Sequence, residues 1–316
     1  MTNDPTSNAP RLNPRETIEQ VARALPEQVR SNVIICGSLA AAYNFFSGDS
    51  AASLRTKDVD VLLSPHAVSV GAAVQVTEQL LAENWQQKTD AKYPPGGPDV
   101  PLKQLPVVRL EPPTGDAGAE KWFLELLAAP PTYTPGADVK TEQRVSTSAG
   151  DFNIPSFAYL ALAEWQPIKT QHGVLIARPE MMALANMLHH PTIGHELMRD
   201  TPRKRSNKDL GRVLALAYLT LERDTRDKTD EFYQWAGHMW AALREKFGED
   251  ARQLAQGAGA GIDALLASRF DADDALWLAN YGLLRGLDVD RERFAATGRR
   301  LQAEVLEPLS DLAAGR

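Results

Sequence analysis

Hydrophobic positions along the first half of the chain fall in short runs, and along the second half they recur at helical spacing. Val33-Ile34-Ile35-Cys36 is an apolar run of strand length, followed by Gly37-Ser38 and an apolar helix over Leu39–Phe46. The stretch Asp58-Val59-Asp60-Val61-Leu62-Leu63 predicts a second strand that opens with two aspartates. Upstream, Asn13-Pro14-Arg15-Glu16 combines an N-cap, a proline at the first helical position and a glutamate three residues after the cap. A helix is therefore predicted from about Pro14 to Leu25. Ser64-Pro65 opens another, with Val70, Val74, Leu80 and Leu81 leading to about Glu83. From Tyr93 to Gly118 the chain is dense in proline and glycine, interrupted by the strand-like "LPVVRLE" (105–111). "KWFLELLA" (121–128) predicts a further strand, and "GDFNI" and "GVLIA" two shorter ones. Short strands with few helices indicate a compact α/β or α+β domain over residues 14–177.

After Arg178 six segments carry apolar residues at the helical period, several opening on Asp, Ser or Thr as N-caps. Residues 178–316 are expected to form a helical domain, with "GAGAG" (257–261) as a flexible break and no internal repeat. The polar lead-in, residues 1–13, is expected to be disordered.

Composition narrows the function classes. The chain has 316 residues, 43% hydrophobic and 24% charged, ordinary proportions for a globular protein. A formal charge of −7 disfavours a protein that coats nucleic acid or an anionic membrane. The single cysteine, Cys36, excludes an intrachain disulfide and a thiolate zinc cage, and its apolar neighbours favour core packing. No apolar run nears the roughly 18 residues needed to span a bilayer, and the N-terminus has no signal-peptide pattern. A cytoplasmic location with no membrane partner is expected.

The pair Asp58 and Asp60 raises the chemical question. Residues two apart in a strand project to the same face, about 7 Å apart. Carboxylates held together repel, and one is driven toward protonation unless a cation sits between them. A divalent metal meets that need, and Mg²⁺ favours one or two carboxylates plus phosphate oxygens. Gly37-Ser38 lies where a strand passes into a helix; glycine lets a phosphate approach the backbone, and Ser38 adds a hydroxyl beside the N–H groups of the helix start. Either feature alone is commonly a turn or a solvated strand end. In this order, across strand, helix and strand, they are the equipment for nucleotidyl or phosphoryl transfer.

Gly37-Ser38 followed by Arg55-Thr56-Lys57-Asp58-Val59-Asp60 resembles the signature of the DNA polymerase β-like nucleotidyltransferase superfamily. It is most similar to the branch containing the AbiEii-type abortive-infection toxins and related bacterial nucleotidyltransferases. "ARPEMMALANMLHH" followed by "RSNKDLGRVLALAYL" resembles the helical pair that follows the core in that branch. The resemblance implies a nucleotidyltransferase-type mixed sheet flanked by helices, and Mg²⁺- or Mn²⁺-dependent transfer of a nucleoside monophosphate from NTP to a hydroxyl. The acceptor would be tRNA, a protein or a small molecule, and a toxin-like role would bring an antitoxin partner. It implies a third carboxylate on a later strand; Glu125, charged within the apolar "WFLELLA", is the candidate. Asp58, Asp60 and Glu125 would then be catalytic and metal-binding, and Gly37, Ser38, Arg55, Lys57 and Lys208 would hold the nucleotide phosphates. Asn186 and Arg212 stand where that branch carries a lysine and an aspartate. They motivate the alternative of a catalytically degenerate nucleotide- or partner-binding regulatory protein.

Other groupings have plainer readings. His189, His190 and His195 are expected to be surface or capping histidines. The basic run Arg199, Arg203, Lys204, Arg205 and Lys208 is expected to be a solvated loop, with guidance of a phosphate-rich acceptor as its functional reading. Lys208 and Asp209 also suit a helix start. Phe232, Tyr233, Trp235 and Trp240 are expected in packing before base stacking.

Overall fold

The computed structural model of the chain describes residues 11–49, 52–88, 96–113, 122–130, 133, 142–194, 196–198 and 201–316. The chain divides into two compact units, Met1–Arg178 and Pro179–Arg316.

The first unit opens on strand β1 (Arg11–Leu12), which pairs antiparallel with β3 (Leu54–Arg55). Structure thus begins inside the lead-in expected to be disordered, whose first ten residues lie outside the described ones. Helix α1 (Pro14–Ala24) starts as its sequence predicts: Asn13 caps it, its side chain accepting from the Glu16 N–H at 3.1 Å. Strand β2 (Val33–Ile35) runs into α2 (Gly37–Phe46) with only Cys36 between them. The helix begins at Gly37, two residues before the apolar run suggests, because Gly37 and Ser38 already belong to its first turn. Then follow β4 (Asp58–Leu63), α3 (His66–Ala82), β5 (Gln86–Gln87), β6 (Arg109–Glu111) and β7 (Phe123–Ala128). The hairpin of β8 (Glu142–Thr147) and β9 (Gly150–Pro155) is closed by a two-residue turn with Gly150 at positive φ. Strands β10 (Ile168–Lys169) and β11 (Leu175–Ile176) complete the unit.

Seven strands form one mixed sheet in the order β10-β11-β2-β4-β7-β6-β5. The pairs β11–β2 and β4–β7 are parallel, and the rest antiparallel. α2 and α3 pack on β4, and α1 packs on α2. Val59, Val61, Leu62 and Leu63 are all fully buried, so both faces of β4 are covered along that stretch. Only its first turn of pleat departs from this: Asp58 is exposed and Asp60 half-buried. The segment expected as one strand over 105–111 is split. Arg109–Glu111 joins the sheet, while the Asn153 N–H donates to Pro106 O and the Val108 N–H to Asn153 O, tying residues 106–108 to β9. Pro106 has no N–H to extend the sheet ladder.

The second unit is helical: α4 (Pro179–Ile193), α5 (Arg205–Asp227), α6 (Glu231–Phe247), α7 (Ala251–Gly257), α8 (Ala260–Ala267), α9 (Arg269–Tyr281), α10 (Arg291–Leu301) and α11 (Glu307–Ala314). α4, α6, α8, α9 and α10 all pack on the long α5. The glycine-rich break falls between α7 and α8. Phe232 and Trp235 sit buried with ring centroids 5.2 Å apart, as packing predicts, whereas Tyr233 is exposed. Among the described residues no helix is long and apolar enough to cross a membrane.

Candidate functional site

The start of α2 and the acidic end of β4 meet at one place. Gly37 has φ +68°, which glycine adopts without steric cost, and this lets the chain turn from β2 into α2 within one residue. A Cβ at Gly37 would overlap Asp60 Oδ2. The Asp60 carboxylate therefore rests against the backbone where α2 begins, at the positive end of the helix dipole. The N-cap residue, Cys36, makes no side-chain cap bond there, and its N–H donates to Asp60 O at 2.9 Å. Ser38 is the next residue of the same turn. Asp58 is oriented by Thr56, whose hydroxyl donates to Asp58 Oδ1 at 2.8 Å.

Register brings the third carboxylate alongside. In the parallel ladder of β4 and β7, Asp60 is opposite Glu125 and Asp58 opposite Phe123. Asp58, Asp60 and Glu125 thus share one sheet face. Across the next ladder Arg109 is opposite Glu125, and Arg109 Nε lies 2.5 Å from Glu125 Oε2. This explains a glutamate in the middle of an apolar strand: an arginine compensates it. It also sets Glu125 apart from the expected metal triad. Among the described residues no group of three or more His, Cys, Asp or Glu side chains is gathered to hold a metal ion. Asp58 and Asp60 are the carboxylates of this face that could hold a divalent cation, while Glu125 already carries a guanidinium.

Electrostatics around the pair are graded. The Cys36 thiol is pushed well up by burial, and by the charges of Asp60 and Glu164, so it stays protonated beside them. On the other side, Lys88 has its pKa lowered, first by burial, with Arg109 and Lys57 adding repulsion against the pull of Glu111 and Asp58. Its ammonium sits 3.7 Å above the Phe123 ring. A basic group of Lys57, Lys88 and Arg109 thus borders the acidic face. Of the expected phosphate-binding residues, Gly37 lies against the Asp60 carboxylate with Ser38 next in the same turn, Arg55 is half-buried in β3, and Lys57 is exposed immediately before β4. Lys208 is exposed in the first turn of α5, in the helical unit.

Lys88 and Arg109 border the acidic face, and the sequence reading did not single them out. Arg109 had a signal, a charge inside an apolar strand that needed a partner, as Glu125 did. Lys88 had none, because strand order alone brings it close.

In the helical unit the basic run is largely neutralised. Arg203 Nε is 2.7 Å from Asp274 Oδ1, and its guanidinium lies 3.4 Å over the Trp277 ring. Lys204 Nζ is 2.8 Å from Asp271 Oδ1, Asn207 bridges both aspartates, and Arg205 reaches Glu196 at 3.4 Å. The expected solvated loop is instead a tie from the start of α5 to α9; Arg199 lies outside the described residues. His189 Nδ1 is 3.7 Å from the buried Asp209, and His190 has its pKa lowered by burial against the opposing charge of Asp209. His195 lies outside the described residues. Asn186 turns back on its own helix, donating to Met182 O at 2.7 Å. The buried Glu180, which the sequence did not single out, pairs with His238 Nδ1 at 2.9 Å.

Comparison of the chain with protein-family models, curated proteins and solved structures finds no match.

Proposed function

We propose that the chain is a nucleotidyltransferase of the polymerase β-like kind, moving a nucleoside monophosphate from NTP to an acceptor hydroxyl. One observation carries this: the Asp60 carboxylate rests against the glycine that opens α2, with Asp58 on the same sheet face. On this reading a phosphate cradle and a cation-binding pair would lie side by side. The N–H groups of the first turn of α2 and the Ser38 hydroxyl would receive the outer phosphates, and Lys57 would offset charge on departing pyrophosphate. Asp58 and Asp60 would hold Mg²⁺ or Mn²⁺, which when bound neutralises phosphate charge and eases ionisation of a hydroxyl. In the transfer the acceptor oxygen bonds to the α-phosphorus, the bond from α-phosphorus to the bridging oxygen breaks, and pyrophosphate leaves. The hydroxyl proton passes to the Glu125 carboxylate, which Arg109 holds in place.

The test is incubation with each α-³²P-labelled NTP and Mg²⁺ or Mn²⁺, with and without total RNA and cell lysate, beside a D58A/D60A variant. Label moving to RNA, protein or a small molecule only with intact aspartates is the expected result. A second reading, a nucleotide-binding regulator without catalysis, is favoured by the Arg109–Glu125 pair and by Asn186 spending its amide on Met182 O. Metal-dependent NTP binding with no label transfer under any condition would select it.

A further inference from the structure

A cavity of about 270 Å³ opens beside Glu125, on the side of the acidic face away from α2. Three cationic residues, Lys88, Lys103 and Arg109, line it against two acidic ones, Glu125 and Glu142. In a chain whose formal charge is −7, that local excess of positive charge runs against the whole. Arg109 and Glu125 compensate each other, which leaves two lysines and Glu142 in the lining, with Glu111 behind Lys88. Lys88 is half-buried with its ammonium on an aromatic ring, drawn by Glu111 and Asp58 and repelled by Arg109 and Lys57.

An independent feature lies in the wall. Asn153 is 4% exposed, and its buried Oδ1 has no hydrogen-bond partner. A buried amide oxygen without a partner is destabilising. The backbone around it is fully used: its N–H donates to Pro106 O and its C=O accepts from Val108. The backbone of Asn153 is thus fixed by these bonds, and the residue forms part of the polar wall of the cavity. The cavity is small for a whole nucleotide and suits a compact phosphorylated alcohol.

We propose that this cavity binds the phosphate-bearing part of the acceptor, a phosphomonoester that also carries hydroxyls. Lys88 and Lys103 take the phosphate, and the hydroxyl-bearing part lies along the wall that includes Asn153. The acceptor role rests on the nucleotidyl-transfer reading; the binding site does not. On that reading the order of elements is functional: nucleotide phosphates at the start of α2, the carboxylates between, and the acceptor at β6 and β7.

Calorimetric titration of the full chain with ribose 5-phosphate, with ribose, and with a short 5′-phosphorylated oligoribonucleotide tests it. Ribose 5-phosphate binds and ribose does not. K88Q and K103Q each weaken binding by about tenfold or more. Lys103 is exposed, so K103Q keeps the fold, which its circular dichroism spectrum checks. Tighter binding of the oligonucleotide identifies an RNA end as the source of the phosphate, and tighter binding of ribose 5-phosphate a small molecule; both support the site. Absence of ribose 5-phosphate and oligonucleotide binding, or binding indifferent to both lysine variants, overturns it. If ribose 5-phosphate binds as stated while no NTP label is transferred, the phosphate site stands and the transfer reading falls.

Discussion

Two residues of the candidate site can be tested singly. Gly37 combines a left-handed backbone with direct contact to the Asp60 carboxylate. Gly37→Ala imposes about 1–2 kcal/mol of backbone cost and displaces that carboxylate. A lower urea midpoint is expected together with weaker Mg²⁺-dependent NTP binding, whereas a merely structural glycine would change only the midpoint. The second residue is Glu125. Its pair with Arg109 is neither fully exposed nor fully buried, at 16% and 38% side-chain exposure. A coupling of about 1–3 kcal/mol is expected, above the ~0–1 of surface pairs and below the 3–5 lost when a buried pair is broken. A double-mutant cycle with Glu125→Gln and Arg109→Gln, read by chemical unfolding, measures it; a coupling near zero would show that the close contact is energetically idle.

Among the elements, α5 and α9 show how sequence propensity and packing conflict. Gly211 lies in α5 where a Cβ would come 2.7 Å from Ala275 O in α9. Alanine gains about 1 kcal/mol of helix propensity over glycine. Forcing two backbones apart costs about 1–3 kcal/mol, so Gly211→Ala is expected to lower the melting temperature. The same helices are tied by Asp271. Burial raises its pKa, but hydrogen bonds from Lys204, Asn207 and Ser268 outweigh that and leave it lowered. A lowered folded value contributes stability that is present above the unfolded value, about 3.9, and is lost as pH falls through the folded one. The melting temperature should therefore drop on acidification below about pH 4, and Asp271→Asn should flatten that drop.

Element identity was legible where the pattern was local. Asn13-Pro14 fixed the start of α1, and the apolar runs fixed β2 and β4. The polar strand Glu142–Thr147 was not legible, because half of its residues face away from the core and β9 supplies its pairing. The two aspartates and the Gly-Ser turn were visible as a motif. That Glu125 stands opposite Asp60 and also carries Arg109 depends on strand order, which no local spacing encodes.

For the whole molecule, each unit has its own buried core: Ile34, Val61, Leu110 and Leu126 in the first, Val213, Leu214, Phe232 and Phe294 in the second. Residues 1–178 and 179–316 produced separately are each expected to unfold cooperatively on heating, monitored by circular dichroism. A non-cooperative melt of either would show that its core is incomplete alone. In the proposed reaction of the full chain, the group transferred contains the α-phosphorus. The most direct measurement supplies the chain and Mg²⁺ with NTP labelled at the α- or the γ-phosphorus, in the presence of acceptor, and follows both labels in wild type and in Asp60→Asn. The account predicts α-label on the acceptor, γ-label in pyrophosphate, and a fall of at least about 100-fold in the variant. Retention of γ-label on the acceptor, or equal transfer by Asp60→Asn, would contradict it.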